Sequence, residues 1–123
     1  MHLINCDRLN LGNKFANEHF DLILDITAYT DEHIKALLKS GVSFDDYIFI
    51  SSSAVYPETN PQPFAENQTC GKNSVWGDYG INKLNAEKYL LDTVQNAYIL
   101  RPPYFTVCMK ICTEKHFPLI VLF

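Results

Sequence analysis

The chain has 123 residues, of which 47% are hydrophobic and 20% charged, with five glycines and six prolines. This composition excludes a collagen, a disordered segment and a low-complexity linker, and the length predicts one domain with one modest core. Ten Lys and Arg against 14 Asp and Glu leave a net charge of -4. A nucleic acid is therefore not an expected partner, because non-specific phosphate binding needs an excess of positive charge.

The beginning of the chain bears on its compartment. Its first residues lack the basic and apolar regions of a signal peptide, and no apolar run reaches the roughly 18 residues of a membrane span. We expect a cytoplasmic protein with no membrane partner, in which Cys6, Cys70, Cys108 and Cys112 are free thiols. Cys108, Cys112 and His116 have a four-residue spacing that could place metal ligands on one helix face. Zinc needs four ligands, however, and no second pair follows, so we predict no metal site.

Strand and helix patterns alternate along the first half of the chain. Short apolar runs at residues 2–6 and 20–26 predict two strands. A helix follows, with apolar residues at helical spacing, a cap at Thr30 or Asp31, and an end at Gly41.

The second half continues the alternation. The apolar run at residues 47–50 predicts a strand, and the Pro-, Asn- and Gly-rich residues 57–77 predict a long surface loop of the kind that is often functional. A helix over 77–93 and a strand over 97–100 follow. Strands separated by helices indicate βαβ units, so the predicted fold class is α/β with a parallel sheet.

Three polar features fall at the strand ends or on the following helix. Tyr79 and Lys83 are four residues apart and share a helix face, where a cation favours the phenolate form needed for acid–base chemistry. Residues 51–53 are three serines at the end of a strand, the edge where ligands bind open α/β sheets. Arg101 ends the next strand on the same side. The alternative interpretations are a solvated helix face for the pair, turn chemistry for the serines and a surface ion pair for Arg101.

Three segments together resemble the extended short-chain dehydrogenase/reductases, specifically the NAD-dependent epimerase/dehydratase family. They are Ile-Ser-Ser-Ser-Ala-Val-Tyr at 50–56, Tyr-Gly-Ile-Asn-Lys at 79–83 and Leu-Arg-Pro-Pro-Tyr at 100–104. Residues 6–8 resemble the end of the family's third strand, whose acid approaches the adenine, and residues 25–28 resemble the end of its fourth strand. The resemblance implies a partial Rossmann-like parallel sheet with flanking helices.

The resemblance also implies roles for individual residues. Tyr79 matches the catalytic acid/base, and Lys83 matches the lysine that binds the nicotinamide ribose. Ser52, with Ser53 as second choice, matches the catalytic Ser/Thr. The implied cofactor is NAD or NADP, which accepts a hydride from a sugar carbon while Tyr79 removes the hydroxyl proton. The implied substrate is a nucleotide sugar or related hydroxyl compound, and the implied cofactor-binding residues are Asp7, Thr27, Ala28, Tyr79, Lys83 and Pro102.

The sequence departs from the family pattern at both ends. None of its glycines has the Gly-x-x-Gly-x-x-Gly spacing of the family's phosphate-binding turn. We therefore expect residues 1–105 to be the central part of an NAD(P)-binding Rossmann-like domain that binds its cofactor weakly and is inactive alone. Residues 106–123 are expected to be a non-family tail. A one-base shift in a back-translation of this tail restores a family-like Tyr-Gly and Asn-Leu-Tyr-Arg-Glu stretch, so we interpret it as out-of-frame.

The sequence leaves the behaviour of the tail and the function of the chain open. The apolar run at residues 118–123 would be exposed and prone to aggregate. The alternatives to an enzyme are a non-catalytic binding or regulatory relative, including an RNA-binding one, and a gene remnant without function. Oligomerisation is left open.

Overall fold

The structure is a computed structural model that describes residues 6–103 and 119–122. Four parallel strands form its sheet in the order β3-β2-β1-β4. Their bounds are His19–Asp25 for β1, Ser43–Ile50 for β2, Ala97–Leu100 for β3 and Leu119–Leu122 for β4. The α/β class and the partial Rossmann-like parallel sheet are thereby confirmed.

Helices connect the three strands that carry the site. Helix α1 (Asp31–Lys39) joins β1 to β2, and helix α2 (Asp78–Thr93) leads into β3. A 3-10 helix at Ser53–Val55 follows β2 directly. Thr30, one of the two predicted caps, occupies the N-cap position of α1, but its side chain makes no capping hydrogen bond. Gly41 lies just beyond the helix at φ +78°, a left-handed conformation that glycine adopts without a Cβ penalty. None of the described helices has the length and apolar character to cross a bilayer.

The core lies where α1 and α2 pack together against the sheet. Its fully buried side chains come from both layers: Ile23, Tyr47 and Phe49 on the strands, and Ile34, Leu37, Ala86 and Leu90 on the helices. Burial of each large apolar side chain contributes about 1.5–3 kcal/mol to folding. These contacts hold the first turn of α2 at the carboxyl ends of the strands.

Two sequence predictions concern the ends of the chain. The predicted strand at 2–6 lies outside the described residues, apart from Cys6, which is in no strand or helix. Cys108, Cys112 and His116 also lie outside them. The apolar run predicted to be exposed at 118–123 contains β4, whose backbone at Leu119–Leu122 pairs in parallel with residues 22–25 of β1; the exposure of its side chains stays a prediction. Pairing with β1 satisfies backbone hydrogen-bonding groups of this run.

Candidate active site

A cleft of about 240 Å³ opens at the carboxyl ends of β1, β2 and β3. A larger surface groove of about 420 Å³ lies between residues 9–13 and α1, but it contains none of the side chains that the sequence singles out. The smaller cleft is therefore the candidate site. Its lining comes from four segments of the chain: Ile26, Ile50 to Ser53, Trp76 with Tyr79 and Lys83, and Pro102 with Pro103.

The three serines line the cleft in different ways. Ser51 is 4% exposed, and its Oγ has no hydrogen-bond partner among residues 6–103. The Ser52 Oγ accepts the N–H of Ala54 at 3.2 Å, which caps the 3-10 helix and leaves its O–H available to a ligand. The Ser53 N–H donates to the Pro102 carbonyl at 3.1 Å. The turn chemistry considered as an alternative is therefore present at Ser52, and it is compatible with ligand binding.

Lys83 is not on a solvated helix face. Its side chain points inward from α2, and Nζ donates to the Ile50 carbonyl at 2.9 Å and lies 4.8 Å from the centre of the Phe49 ring. The residue is only 4% exposed. Burial lowers the pKa of the Lys83 ammonium to about 8, although the negative charge of Asp25 opposes this shift. Burial therefore brings the pKa of this lysine closer to neutrality than that of an exposed lysine.

Tyr79 lies in the first turn of α2 beside two other aromatic rings. Its ring centroid is 5.5 Å from that of Tyr29 and 6.1 Å from that of Trp76. No described residue forms a hydrogen bond with the Tyr79 hydroxyl, so this group is available to a ligand in the cleft. Tyr79 and Lys83 thus present a phenol and an ammonium to the same cleft.

Gly80 allows the helix and the serine segment to approach each other. A Cβ at this position would lie 2.1 Å from the Ala54 carbonyl oxygen, far inside contact distance. Only a residue without a Cβ lets α2 pack this closely on the backbone of the 3-10 helix. This packing places Tyr79 next to the segment that holds Ser52.

The cleft suits a ligand with several hydroxyl groups, because it offers serine hydroxyls, a phenol and an ammonium together. Comparison with known proteins gives one assignment: the profile of the NAD-dependent epimerase/dehydratase family matches residues 9–108. The chain belongs to this family. No curated protein and no solved structure matches the chain.

Members of the epimerase/dehydratase family generally bind NAD(P), and four of the residues that the sequence selects lie together in this cleft. They are Ser52, Tyr79, Lys83 and Pro102. The buried Ser51 hydroxyl and the Lys83 ammonium are polar groups of the kind that a ribose and a carboxamide engage, so the residues present fit the reactive end of a nicotinamide cofactor. Their individual roles stay predictions.

The other three predicted cofactor residues do not line the cleft. Asp7 precedes the matched family segment, and its Oδ1 accepts the N–H of Leu9 at 3.0 Å in a local turn. Thr27 is exposed, whereas Ala28 is fully buried in the core. The Ala28 N–H donates to Asp25 Oδ1 at 3.0 Å, so this backbone donor is already engaged within the protein.

A buried charge network beneath the cleft is not evident from sequence patterns. Asp25 is fully buried at the end of β1 and pairs with Arg8, and the Tyr47 hydroxyl donates to its Oδ2 at 2.5 Å. Burial, together with Asp25, raises the pKa of Tyr47 well above its ordinary value. The one sequence signal for this network is the acid Asp25 inside an apolar strand, since a buried carboxylate needs a partner.

A second ion pair, between the half-buried Arg101 just after β3 and the buried Glu87, joins the end of this strand to α2. Arg101 was considered as a surface ion pair, but its partner Glu87 is only 1% exposed. The Arg101 Nη2 donates to Glu87 at 2.7 Å and Nη1 donates to the Tyr56 hydroxyl at 2.6 Å. Hydrogen bonds to Glu87 raise the pKa of Arg101 above its ordinary value. The pair fixes the end of β3, which carries Pro102, against the helix that carries Lys83.

Asn73 shapes the loop that leads into α2. Its side chain is buried, donates to the Tyr56 carbonyl at 2.8 Å and accepts the N–H groups of Val75 at 3.0 Å and Trp76 at 3.1 Å. Asparagine commonly holds turns through such side-chain to backbone bonds. The signal was present within the polar residues 57–77, but several other polar residues there compete for the same role.

The buried Lys83 ammonium predicts a pH-dependent stability. Its pKa is lowered from 10.5 to about 8 in the folded chain. Between these values the unfolded chain binds more protons, so the free energy of unfolding rises with pH. We expect Lys83→Met to remove about 1–2 kcal/mol of that rise between about pH 8 and pH 10, after allowance for solvent screening.

Urea unfolding of both proteins at a series of pH values measures this slope. Lys88→Met is the matched control, because Lys88 lies exposed on the same helix and should keep the wild-type slope. A Lys83→Met protein with an unchanged slope would contradict the buried position of the ammonium.

Proposed function

We propose that the cleft is the reaction centre of an NAD(P)-dependent epimerase/dehydratase-type enzyme that acts on a nucleotide sugar or a related hydroxyl substrate. One observation carries this proposal: Ser52, Tyr79 and Lys83 line the same cleft at the carboxyl ends of the parallel strands. This edge is where open α/β sheets bind their ligands. The family match supports the class of reaction, and the substrate follows from the resemblance alone.

The proposed roles follow from the positions of the side chains. The Tyr79 oxygen takes the proton from the substrate hydroxyl at the carbon that is oxidised. The Ser52 O–H donates a hydrogen bond to the same substrate oxygen and orients it toward Tyr79. Lys83, one helical turn after Tyr79, contributes a donor for a ribose hydroxyl.

NAD(P) supplies the hydride acceptor when it is bound. Lys83, Tyr79 and Pro102 would hold its nicotinamide end. The roles of Asp7 near the adenine, and of Thr27 and Ala28 at the end of a strand, remain predictions. We expect these 123 residues to bind the dinucleotide weakly, because none of their glycines has the spacing of a phosphate-binding turn. The choice between NAD and NADP is an outcome of the binding experiment.

Thermal unfolding with millimolar NAD or NADP tests the proposal. A ligand that binds the folded chain raises its Tm, so we expect a rise with one dinucleotide and a smaller rise for Lys83→Met relative to its own ligand-free Tm. Lys88→Met, exposed on the same helix, is the control and should respond like the wild type. The proposal fails if neither dinucleotide shifts Tm, or if an RNA oligonucleotide shifts it instead.

A further inference from the structure

Trp76 is an exposed aromatic side chain at the mouth of the cleft. It lines the cleft and is 52% exposed. Its backbone is held in place, because the backbone N–H donates to the buried Asn73 side chain at 3.1 Å and the backbone carbonyl accepts the Tyr79 N–H at 3.1 Å. A large exposed apolar side chain on a fixed backbone beside a polar cleft is typical of a binding site rather than of an ordinary surface residue.

Trp76 belongs to a cluster of rings around Tyr79, called here the aromatic rim and consisting of Tyr29, Trp76 and Tyr79; of these, Trp76 and Tyr79 line the cleft. Tyr29 is 38% exposed, and both Tyr29 and Trp76 have ring centroids within 6.1 Å of the Tyr79 centroid. Below this rim lie the hydroxyls of the serine segment. A ligand that complements both parts needs an apolar face for the rim and several hydroxyls for the floor.

A sugar ring has these two features, since its C–H groups form an apolar face and its hydroxyls point outward. Aromatic faces carry partial negative charge, which attracts C–H groups of partial positive charge. Along the chain Trp76 precedes Tyr79 by three residues, whereas the buried Lys83 follows it by four. The ammonium of Lys83 serves the cofactor ribose in the proposed function, which leaves the exposed indole of Trp76 available to the substrate.

We propose that Trp76 binds the substrate by stacking its indole on the C–H face of the sugar ring, and so selects a sugar over smaller hydroxyl compounds. This inference rests on the proposed function and adds a residue outside the Ser52, Tyr79 and Lys83 set. Trp76 positions the sugar so that one of its hydroxyls reaches the Tyr79 oxygen. No covalent step is assigned to it.

The test uses the fact that the chain contains one tryptophan. Its emission therefore reports on this position without labelling. In the presence of NAD we expect uridine diphosphate glucose to change the Trp76 emission, and uridine diphosphate alone to leave it unchanged. In saturation-transfer NMR the glucose ring protons should receive magnetisation from the protein.

Trp76→Ala should weaken uridine diphosphate glucose binding about tenfold by NMR titration, equivalent to about 1.4 kcal/mol. Trp76→Phe should restore part of the affinity. The Tm rise with NAD should be unchanged in both variants. Val75→Ala is the matched control, because Val75 is 74% exposed beside Trp76 and does not line the cleft. It should bind like the wild type.

The outcomes separate this inference from the proposed function. If Trp76→Ala binds uridine diphosphate glucose as well as the wild type does, the inference is wrong and the proposed function stands. The inference is also wrong, and the proposed function stands, if NAD alone changes the emission and magnetisation reaches the nicotinamide protons rather than the glucose ring. If neither NAD nor uridine diphosphate glucose binds the wild type, the proposed function is wrong and the inference falls with it.

Discussion

In a full-length version of the protein that turns over its substrate, replacing Tyr79 by phenylalanine should lower kcat about 10²- to 10⁴-fold, the range that a positioned general acid or base contributes. The substitution removes only the phenolic oxygen. The ring can remain between Tyr29 and Trp76, whose centroids lie 5.5 and 6.1 Å away. The affinity for NAD(P) should therefore be nearly unchanged, and the loss should fall on kcat. Steady-state kinetics with a nucleotide sugar, combined with a dinucleotide titration, measures both quantities.

Tyr98→Phe is the control for this experiment. Tyr98 is 55% exposed on β3 and does not line the cleft, so its hydroxyl should not affect turnover. A Tyr79→Phe protein that turns over as fast as Tyr98→Phe would remove Tyr79 from the proton transfer. A Tyr79→Phe protein that has lost dinucleotide binding would instead assign the hydroxyl to cofactor binding.

Gly80→Ala should destabilise the fold by about 2–4 kcal/mol, within the range of severe overpacking at a buried contact. The new Cβ would lie 2.1 Å from the Ala54 carbonyl oxygen. The carbonyl belongs to the backbone and the Cβ is fixed rigidly to the helix backbone, so no flexible side chain can move aside. The first turn of α2 must shift away from the 3-10 helix at Ser53–Val55. Urea unfolding monitored by circular dichroism measures the change.

Gly71→Ala is the matched control, because its Cβ would meet Pro57 at an ordinary 3.4 Å. We expect it to change stability by less than about 1 kcal/mol. Gly80→Ala should also reduce the Tm rise with dinucleotide, since Tyr79 moves with the helix. Equal stability of the two variants would show that α2 and the 3-10 helix are not packed backbone to backbone.

The elements of the fold are predictable where a pattern is local. The apolar run around Ile23 indicates β1, and the helical spacing of Ile34 and Leu37 indicates α1, because each periodicity follows from backbone geometry. The meeting of Ser52 with Tyr79 is also predictable. Parallel strands end at one edge of the sheet, so segments that follow them lie close together.

The features that the sequence does not reveal depend on contacts between distant residues. A Tyr-x-x-x-Lys spacing is the same on an exposed or a buried face, so it says nothing of the hydrogen bond from Lys83 to Ile50. Arg101 looks like a surface charge until Glu87 of α2 is placed beside it. Gly80 is one glycine among five, and only the position of Ala54 explains it.

The pairing of β1 with β4 has a consequence for how the chain reaches its fold. Leu22 and Leu119 are opposite each other in the sheet although they are about 100 residues apart in the chain. Contacts of such separation carry a large loop-closure entropy and slow folding. During synthesis, β1 and β2 can pair long before residues 119–122 leave the ribosome. The edge of β1 that pairs with β4 is thus the last part of the sheet to form. Until then, correct folding on the ribosome requires that this unpaired edge does not pair with other strands.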